Sequence, residues 1–283
     1  MIVPLIYPSD AIELSAVLGL EKPLYISAPN AVYRRKTQSC IVRSRDNPFP
    51  ENSFFYLTEK QFDIYIACPE LCFLQVAREQ DMIDLLLFGF DICAIYYVTK
   101  EAEFGQAGRI PLTSVETLRQ YISEAHAFYG ASKALNALRY IRNDSNSPME
   151  TRLAIFLILP ESLGGCGIPW IEMNSPITLL PEGAKLLKYK TVRGDMVIHI
   201  ARMVIEYNSD KVHLNSQSYT DDMNRQSAVK NAGYKYFAIT KGNVNDISSL
   251  MGVVNIIRKE LSLPPLDEND LQRQKLFHRL FDR

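Results

Sequence analysis

The order of secondary-structure patterns after residue 145 constrains the fold of this chain more than any other feature. A helical run, PMETRLAIFLILP, leads through a glycine-rich turn to three strand-like runs, ITLL, DMVIHI and ARMVIEY. A helix in DDMNRQSAVKNAG and a strand in YKYFAIT complete an α-β-β-β-α-β order. The helices DISSLMGVVNIIRKEL and ENDLQRQKLFHRLF close the chain. This order predicts a mixed helix-and-strand fold, of the α/β or α+β class.

The first half of the chain shows a different order, with strand patterns first and helices after them. Strands are predicted in PLYISAP, SCIVRSR, SFFYLT and QFDIYIA, and helices in CPELCFLQVAREQ, PLTSVETLRQYISEA and SKALNALRYI. Thr113 or Ser114 is expected to cap the second of these helices. The apolar stretch 83–98 predicts a buried helix, because Asp84 and Asp91 interrupt it and it is too short to span a bilayer.

The polar, turn-rich segment IRNDSNSP separates the two patterns. It predicts a domain boundary near residue 145, with an α+β recognition or scaffold domain in residues 1–145 and a second domain in residues 146–283.

Composition excludes several classes of protein. The formal net charge of −1 offers no whole-chain basis for nucleic-acid binding, so such binding would need a local basic face. Five cysteines, mostly inside apolar runs, predict reduced core residues in a cytoplasmic protein rather than a disulfide framework. The start, MIVPLIYPSD, lacks the features of a signal peptide, and we expect no membrane partner.

Three acidic residues occupy positions that suit a metal site. Glu150 lies in the first turn of the PMETRLAIFLILP helix, Asp195 is expected to open the strand DMVIHI, and Glu206 to end the strand ARMVIEY. If the two strands form a hairpin, Asp195 and Glu206 meet at one rim of the sheet. Mg²⁺ takes one or two carboxylates together with water and substrate phosphate, and such a site can polarise a phosphate and activate water.

A structural explanation for the same acids stays open. Asp195 and Glu206 could be solvent-facing acids at strand ends, as most surface acids are. Glu150 could serve the helix macrodipole alone. Asp221 and Asp222 are expected to cap the next helix and complement its dipole.

A family resemblance adds to these observations. The second half is similar to the endonuclease-like domain family related to the very-short-patch mismatch repair endonucleases, within the PD-(D/E)XK superfamily. The similarity covers roughly a third of the chain and keeps the order of the motifs. The matching positions are Ser147-Pro148-Met149-Glu150-Thr151-Arg152, Asp195, Ile205-Glu206-Tyr207, His213, Arg225 and residues 233–240.

The resemblance implies a restriction-endonuclease-like fold with a mixed central sheet and metal-dependent hydrolysis of phosphodiester bonds in DNA. Asp195 and Glu206 would bind Mg²⁺ or Mn²⁺, and Glu150 would assist. His213 would act as a general acid-base or orient water, a role that the near-neutral pKa of an unperturbed histidine permits. The alternative for His213 is a loop histidine with a single hydrogen bond.

Asn208 departs from the pattern, because the wider superfamily often has Lys at this position and the family has Asp. An Asn can orient water but carries no charge. Lys211 follows three residues later and is a candidate replacement. Arg225, Lys211 and Lys230 are the candidate phosphate contacts, and the alternative for Arg225 and Lys230 is an ordinary solvated helix face.

Residues from about 39 to 142 resemble the region that precedes the endonuclease domain in AbiEi-antitoxin-like bacterial proteins. That half could recognise a ligand, hold a protein partner or a second copy of the chain, or serve as a scaffold. The basic cluster Arg34-Arg35-Lys36 is interpreted as a solvated turn, with DNA contact as the alternative. The sequence predicts a bacterial DNA endonuclease in defence, repair or mobile-element biology. The competing hypothesis is a degenerate nuclease fold that regulates a toxin-antitoxin or phage-defence system by binding.

Overall fold

A computed structural model describes residues 12–13, 15–16, 19–28, 34–44, 49–59, 62–102, 105–208 and 216–282. Helices and strands occur in both halves of the chain, and the second half contains a mixed sheet. The predicted mixed helix-and-strand class is therefore confirmed. Within the described residues, no helix is long and apolar enough to cross a membrane.

Short strands dominate the beginning of the described chain. They are β1 (Leu24–Ala28), β2 (Arg35–Lys36), β3 (Cys40–Ser44), β4 (Phe54–Glu59) and β5 (Phe62–Ala67). Strand β1 runs parallel to β3, β2 runs antiparallel to β3, and β4 forms an antiparallel hairpin with β5. All four strands predicted here are present. The expectation of a simple turn at the basic cluster is wrong, since Arg35 and Lys36 pair with Val42 and Ile41.

Helices and one short pair of antiparallel strands follow. These elements are α1 (Pro69–Glu79), α2 (Met82–Ile92), β6 (Tyr96–Val98), β7 (Gln106–Gly108), α3 (Val115–Glu124) and α4 (Ala131–Ala137). The oxygen of Ser114 accepts the backbone N–H of Thr117 over 3.2 Å, so Ser114 caps α3. The helix predicted over residues 83–98 ends at Ile92 instead, because Tyr96 to Val98 pair with β7, and aromatic and β-branched residues favour strands.

The second half contains the predicted order of elements plus one short helix. The elements are α5 (Pro148–Ile158), β8 (Glu172–Thr178), α6 (Pro181–Leu187), β9 (Thr191–Ile198), β10 (Met203–Asn208), α7 (Ser216–Asn231) and β11 (Lys235–Thr240). Strands β8, β9 and β10 are consecutive antiparallel neighbours, and β11 runs parallel to β10. The resulting sheet has four strands in the order β11-β10-β9-β8.

Strand β8 covers Glu172–Thr178 instead of the predicted ITLL (177–180), and two further boundaries near the site differ from the expectation. Asp195 lies inside β9 instead of opening it, because the preceding residues, Thr191 to Gly194, pair with β8. Helix α7 begins at Ser216, so Asp221 and Asp222 lie within the helix and are not its caps. Strand β9 thus begins earlier than predicted because it pairs with β8, and helix α7 begins earlier than its local pattern indicates.

Three helices complete the fold: α8 (Lys241–Val244), α9 (Ile247–Glu260) and α10 (Leu271–Phe281). Helix α5 lies between the two halves, packing against α2 on one side and α10 on the other. Residues 153–158 of α5 are all buried. One continuous cluster of buried hydrophobic side chains runs from Cys68 to Leu280 and includes this helix.

The segment at which a domain boundary is predicted makes contacts with the first half. The carbonyl of Ser145 accepts the N–H of Ile95 over 3.0 Å, and the side chain of Asn143 accepts the N–H of Val115 over 2.9 Å. Ser145 itself is fully buried. The boundary near residue 145 stays a prediction, and across it the two halves share one hydrophobic core.

Candidate acidic site

The start of α5 places Glu150 in a buried position. Pro148 occupies the first turn of the helix, and the hydroxyl of Ser147 accepts the backbone N–H of Glu150 over 3.1 Å. This is the N-cap arrangement that a Ser-Pro-x-Glu sequence favours. The carboxylate of Glu150 accepts the N–H of Asn146 over 3.1 Å and the side-chain amide of Asn174 over 3.0 Å. Glu150 is therefore held in one orientation by two donors.

The hairpin of β9 and β10 brings Asp195 beside Glu206. Ile205 of β10 pairs with Met196 of β9, so the next position of the same register brings Glu206 opposite Asp195. Their carboxyl groups share a hydrogen bond, and the carboxylate of Asp195 also accepts the backbone N–H of Tyr207 over 2.9 Å. Glu206 is buried, whereas Asp195 keeps partial exposure. The predicted meeting of the two acids is thus present in the structure.

The three acids interact electrostatically. Burial raises the pKa of Glu150 to about 7, and the charge of Asp195 adds to the effect. Burial, and then the charge of Asp195, raises the pKa of Glu206 to about 8. The pKa of Asp195 is also raised, mainly by burial. The fold therefore gathers more carboxyl groups at this point than nearby positive charges can neutralise, an arrangement typical of functional sites.

Arg225 of α7 supplies the positive charge next to these acids. Its guanidinium lies 2.9 Å from the carboxylate of Glu206 and also donates to the backbone carbonyl of Arg193. One third of the Arg225 side chain is exposed, against 8% of Glu206. In this structure Arg225 is a partner of the acidic site rather than part of an ordinary solvated helix face. Its expected contact with a phosphate stays a prediction.

Asn174 of β8 belongs to the site although its sequence position did not suggest it. Its backbone is left-handed, with φ of 45°, and its amide donates to the carbonyl of Asp144 over 2.8 Å as well as to Glu150. Arg193 donates to the carbonyl of Asn174 over 2.7 Å. Asn is among the few residues that tolerate this conformation and is rare in strands. An Asn inside the strand-like run EMNSPIT was the available signal.

A chain of polar side chains secures the strands beside Asn174. The hydroxyl of Ser175 donates to Glu172 over 3.0 Å and lies 2.8 Å from Nε2 of His199. Nδ1 of His199 lies 2.9 Å from the hydroxyl of Tyr234. These contacts link β8, the turn between β9 and β10, and the residue before β11. Sequence patterns did not single them out.

The other predicted site residues are placed as follows. Asn208 is half-buried at the end of β10, paired with Thr240, and the alternation of a strand puts its side chain on the same face as that of Glu206. Lys230 is exposed in the last turn of α7. Lys211 and His213 lie outside the described residues.

The donor set suits a hard divalent cation. Asp195 and Glu206 offer two adjacent carboxyl groups, which is the number that Mg²⁺ typically takes from a protein. Within the described ranges, no group of three or more His, Cys, Asp or Glu side chains is arranged to hold a metal ion. The residues that could hold Mg²⁺ or Mn²⁺ are therefore Asp195 and Glu206, with Glu150 as a neighbouring charge.

Comparisons with known proteins add nothing to this site: no family matches the sequence, and no curated protein or solved structure is significantly similar to it.

Proposed function

We propose that this chain is a metal-dependent endonuclease with a restriction-endonuclease-like fold, related to the very-short-patch repair endonucleases and acting on DNA. The observation that carries the proposal is the convergence of Glu150, Asp195 and Glu206, whose charges act on one another, at one place in the fold. Each comes from a different element, α5, β9 and β10. Local sequence preference alone does not bring three carboxyl groups together, two of them buried, and burying charge is costly unless it serves a purpose.

The connectivity around the site supports the same proposal. A helix, three antiparallel strands, a crossover helix and a parallel fourth strand follow one another, interrupted by the short helix α6. This order matches the α-β-β-β-α-β pattern that accompanies the family resemblance. The proposed biology is bacterial defence, repair or mobile-element function.

Each residue has a proposed part in phosphodiester hydrolysis. When bound, Mg²⁺ or Mn²⁺ would polarise the phosphate and activate water. Asp195 and Glu206 would hold the cation after giving up the proton that their mutual hydrogen bond retains. Glu150 would stabilise the positive charge in the site, and the Asn208 amide would orient water. His213 is the proposed general acid-base.

A cleavage assay tests the proposal directly. Wild type, Asp195→Ala and a control, Asp282→Ala, are incubated with Mg²⁺ or Mn²⁺ on single-stranded, duplex and mismatched DNA. Asp282 follows α10 and its side chain is 59% exposed, so its loss makes the same chemical change outside the acidic site. We expect Asp195→Ala to lower cleavage at least about 100-fold. Mutating residues that only hydrogen-bond to metal ligands already costs about 10–100-fold in metal affinity or activity. Equal background in wild type and Asp195→Ala on every substrate would reject the enzyme.

A binding-only regulator is the second candidate. Two observations favour it: Asn208 replaces a charged residue of the family pattern, and Arg225 already neutralises Glu206. Such a protein would bind nucleic acid or a protein partner of a toxin-antitoxin or phage-defence system without cutting DNA. DNA binding that survives in wild type and Asp195→Ala alike, with no cleavage by either, is the result expected of it.

A further inference from the structure

The contact between Arg225 and Glu206 resembles a cation site that is already filled by the protein itself. The guanidinium reaches from α7 across the sheet, where it bonds Glu206 over 2.9 Å and the carbonyl of Arg193 on β9. It thereby occupies one of the two Glu206 oxygens that a divalent cation between Asp195 and Glu206 could use. A divalent cation on the same carboxylate would be repelled by the adjacent guanidinium, so the cation binds more weakly while Arg225 stays there.

The charges at the site explain why the guanidinium stays there. Three carboxyl groups lie close together, and the charge of Arg225 lowers the pKa of both Asp195 and Glu206 against the effect of burial. Without that guanidinium, ionised Glu206 would be a buried and unpaired charge, which is strongly unfavourable. A divalent cation would supply the same compensation with twice the charge.

The position of Arg225 also allows it to leave. Its side chain is one third exposed, and it lies in the middle of α7, with Asp221, Asp222 and Met223 exposed in the preceding turn. Rotation about its side-chain bonds would carry the guanidinium into solvent beside the acidic site. There its planar donors would suit the oxygens of a phosphodiester, which guanidinium groups bind in a bidentate manner.

We propose that Arg225 is an internal counter-cation: it fills the cation position at Glu206 in the metal-free protein, gives way to the divalent ion, and then binds a phosphodiester of the substrate. The inference rests on the proposed function. It assigns Arg225 to a positioning role in which metal binding and nucleic-acid binding are coupled. Each ligand then strengthens the other, because both favour the same displaced position of the guanidinium.

Calorimetric titration of Mn²⁺ without DNA tests the first step. The proteins are wild type, Arg225→Gln, Arg225→Lys and the control Arg139→Gln, an exposed arginine of the first half. Removing the competitor should raise the affinity of Arg225→Gln for Mn²⁺ about tenfold, the effect of one charge-assisted contact. Arg225→Lys should show a smaller rise, since the ammonium group keeps a positive charge that still competes with Mn²⁺ at Glu206. Arg139→Gln should bind Mn²⁺ as wild type does.

Fluorescence anisotropy of a labelled DNA strand tests the second step, with Ca²⁺ as the divalent ion and gel analysis to verify that the strand is intact. Ca²⁺ should strengthen DNA binding by wild type. In the presence of Ca²⁺, the DNA affinity of Arg225→Gln should be about tenfold lower than that of wild type. A DNA affinity of Arg225→Gln equal to that of wild type in Ca²⁺ overturns the phosphate contact.

The outcomes separate this inference from the proposed function. Equal or weaker Mn²⁺ binding by Arg225→Gln, with normal binding by wild type, overturns the counter-cation and leaves the nuclease intact. Failure of wild type and Arg225→Gln alike to bind Mn²⁺ overturns both. Circular dichroism verifies folding, and if Arg225→Gln does not fold, the smaller rise expected of Arg225→Lys decides the question.

Discussion

The side-chain amide of Asn174 donates to the carboxylate of Glu150 over 3.0 Å, joining strand β8 to the first turn of α5. The same amide donates to the carbonyl of Asp144 over 2.8 Å. Asn174 therefore spans the sheet, the helix and the segment before the helix. Its left-handed backbone, with φ of 45°, is the geometry that directs the amide to both acceptors.

Two substitutions of Asn174 separate the contribution of its amide hydrogen bonds from that of its left-handed backbone. Asn174→Ala should destabilise the fold by about 1–3 kcal/mol, because Glu150 and Asp144 lose a buried donor, with about 1 kcal/mol more because Ala tolerates the left-handed region less well than Asn. Asn174→Gly removes the amide but accepts the backbone angle, so it should be the milder change. Urea denaturation measures both. Equal stability of wild type and the alanine variant would contradict the role given to the amide.

The raised pKa values of Glu150 and Glu206 predict a stability that falls as pH rises. An exposed Glu titrates near 4.3, whereas these two titrate at about 7 and about 8 in the folded protein. Between the unfolded and folded values the native state holds more protons than the unfolded state. Its stability is therefore greatest below the unfolded pKa and is lost as pH rises through the folded values.

Urea denaturation between pH 5 and 9 measures this slope. Glu206→Gln should reduce it by roughly a third to a half, because one of the three carboxyl groups with a raised pKa no longer titrates. The control Glu182→Gln changes an exposed glutamate of α6 and should keep the wild-type slope. Added Mg²⁺ should restore stability at high pH in wild type, since a ligand that binds only the native state stabilises it. An unchanged slope in Glu206→Gln would exclude this source of the pH dependence.

Close packing at Gly89 makes α2 sensitive to a single methyl group. A Cβ at this position would lie 2.3 Å from Cδ1 of Ile141 and 2.8 Å from Cε2 of Phe73. Gly89→Ala should therefore cost about 1–3 kcal/mol, in spite of the better helix propensity of alanine. Gly252→Ala is the matched control in α9, where no atom lies within 4 Å and a gain of about 0.4–1 kcal/mol is expected. The thermal denaturation midpoint should fall in Gly89→Ala and rise in Gly252→Ala.

Arg258 stabilises the end of α9 through carbonyl groups more than through its ion pair. Its guanidinium is 1% exposed and donates to the carbonyls of Pro264, over 2.8 Å, and Cys166. It also lies 2.7 Å from Glu161, which is half exposed. Arg258→Met should cost about 2–4 kcal/mol by leaving buried carbonyls without a donor. Glu161→Gln should cost no more than about 1 kcal/mol. Similar losses in the two variants would assign the stability to the ion pair.

Local sequence patterns were sufficient to predict the elements whose terminal residues themselves carry a start or stop signal. The start of α5 places Glu150 in the first turn as expected, because helix starts depend on residues within one turn. The hairpin that joins Asp195 to Glu206 follows from two strand patterns separated by a short turn. The approach of these two acids could therefore be predicted from the sequence.

Other features depend on contacts between distant residues. Strand β9 extends to Thr191 because it pairs with β8, and that pairing has no local signature. The partner of Arg225 is 19 residues away in sequence and is reached only because α7 packs on the sheet. Asn174 reaches Glu150 through an unusual backbone angle, which strand propensity disfavours.

Helix α5 has a consequence for how this protein can be divided or transplanted. Its sides contact α2 and α10, and Phe156 packs edge-on against Phe277 and Phe281. A fragment excised at residue 146 would present the α2-facing side of this helix to water and would tend to aggregate. Grafting the acidic residues onto a shorter protein would thus require the preceding helices as well.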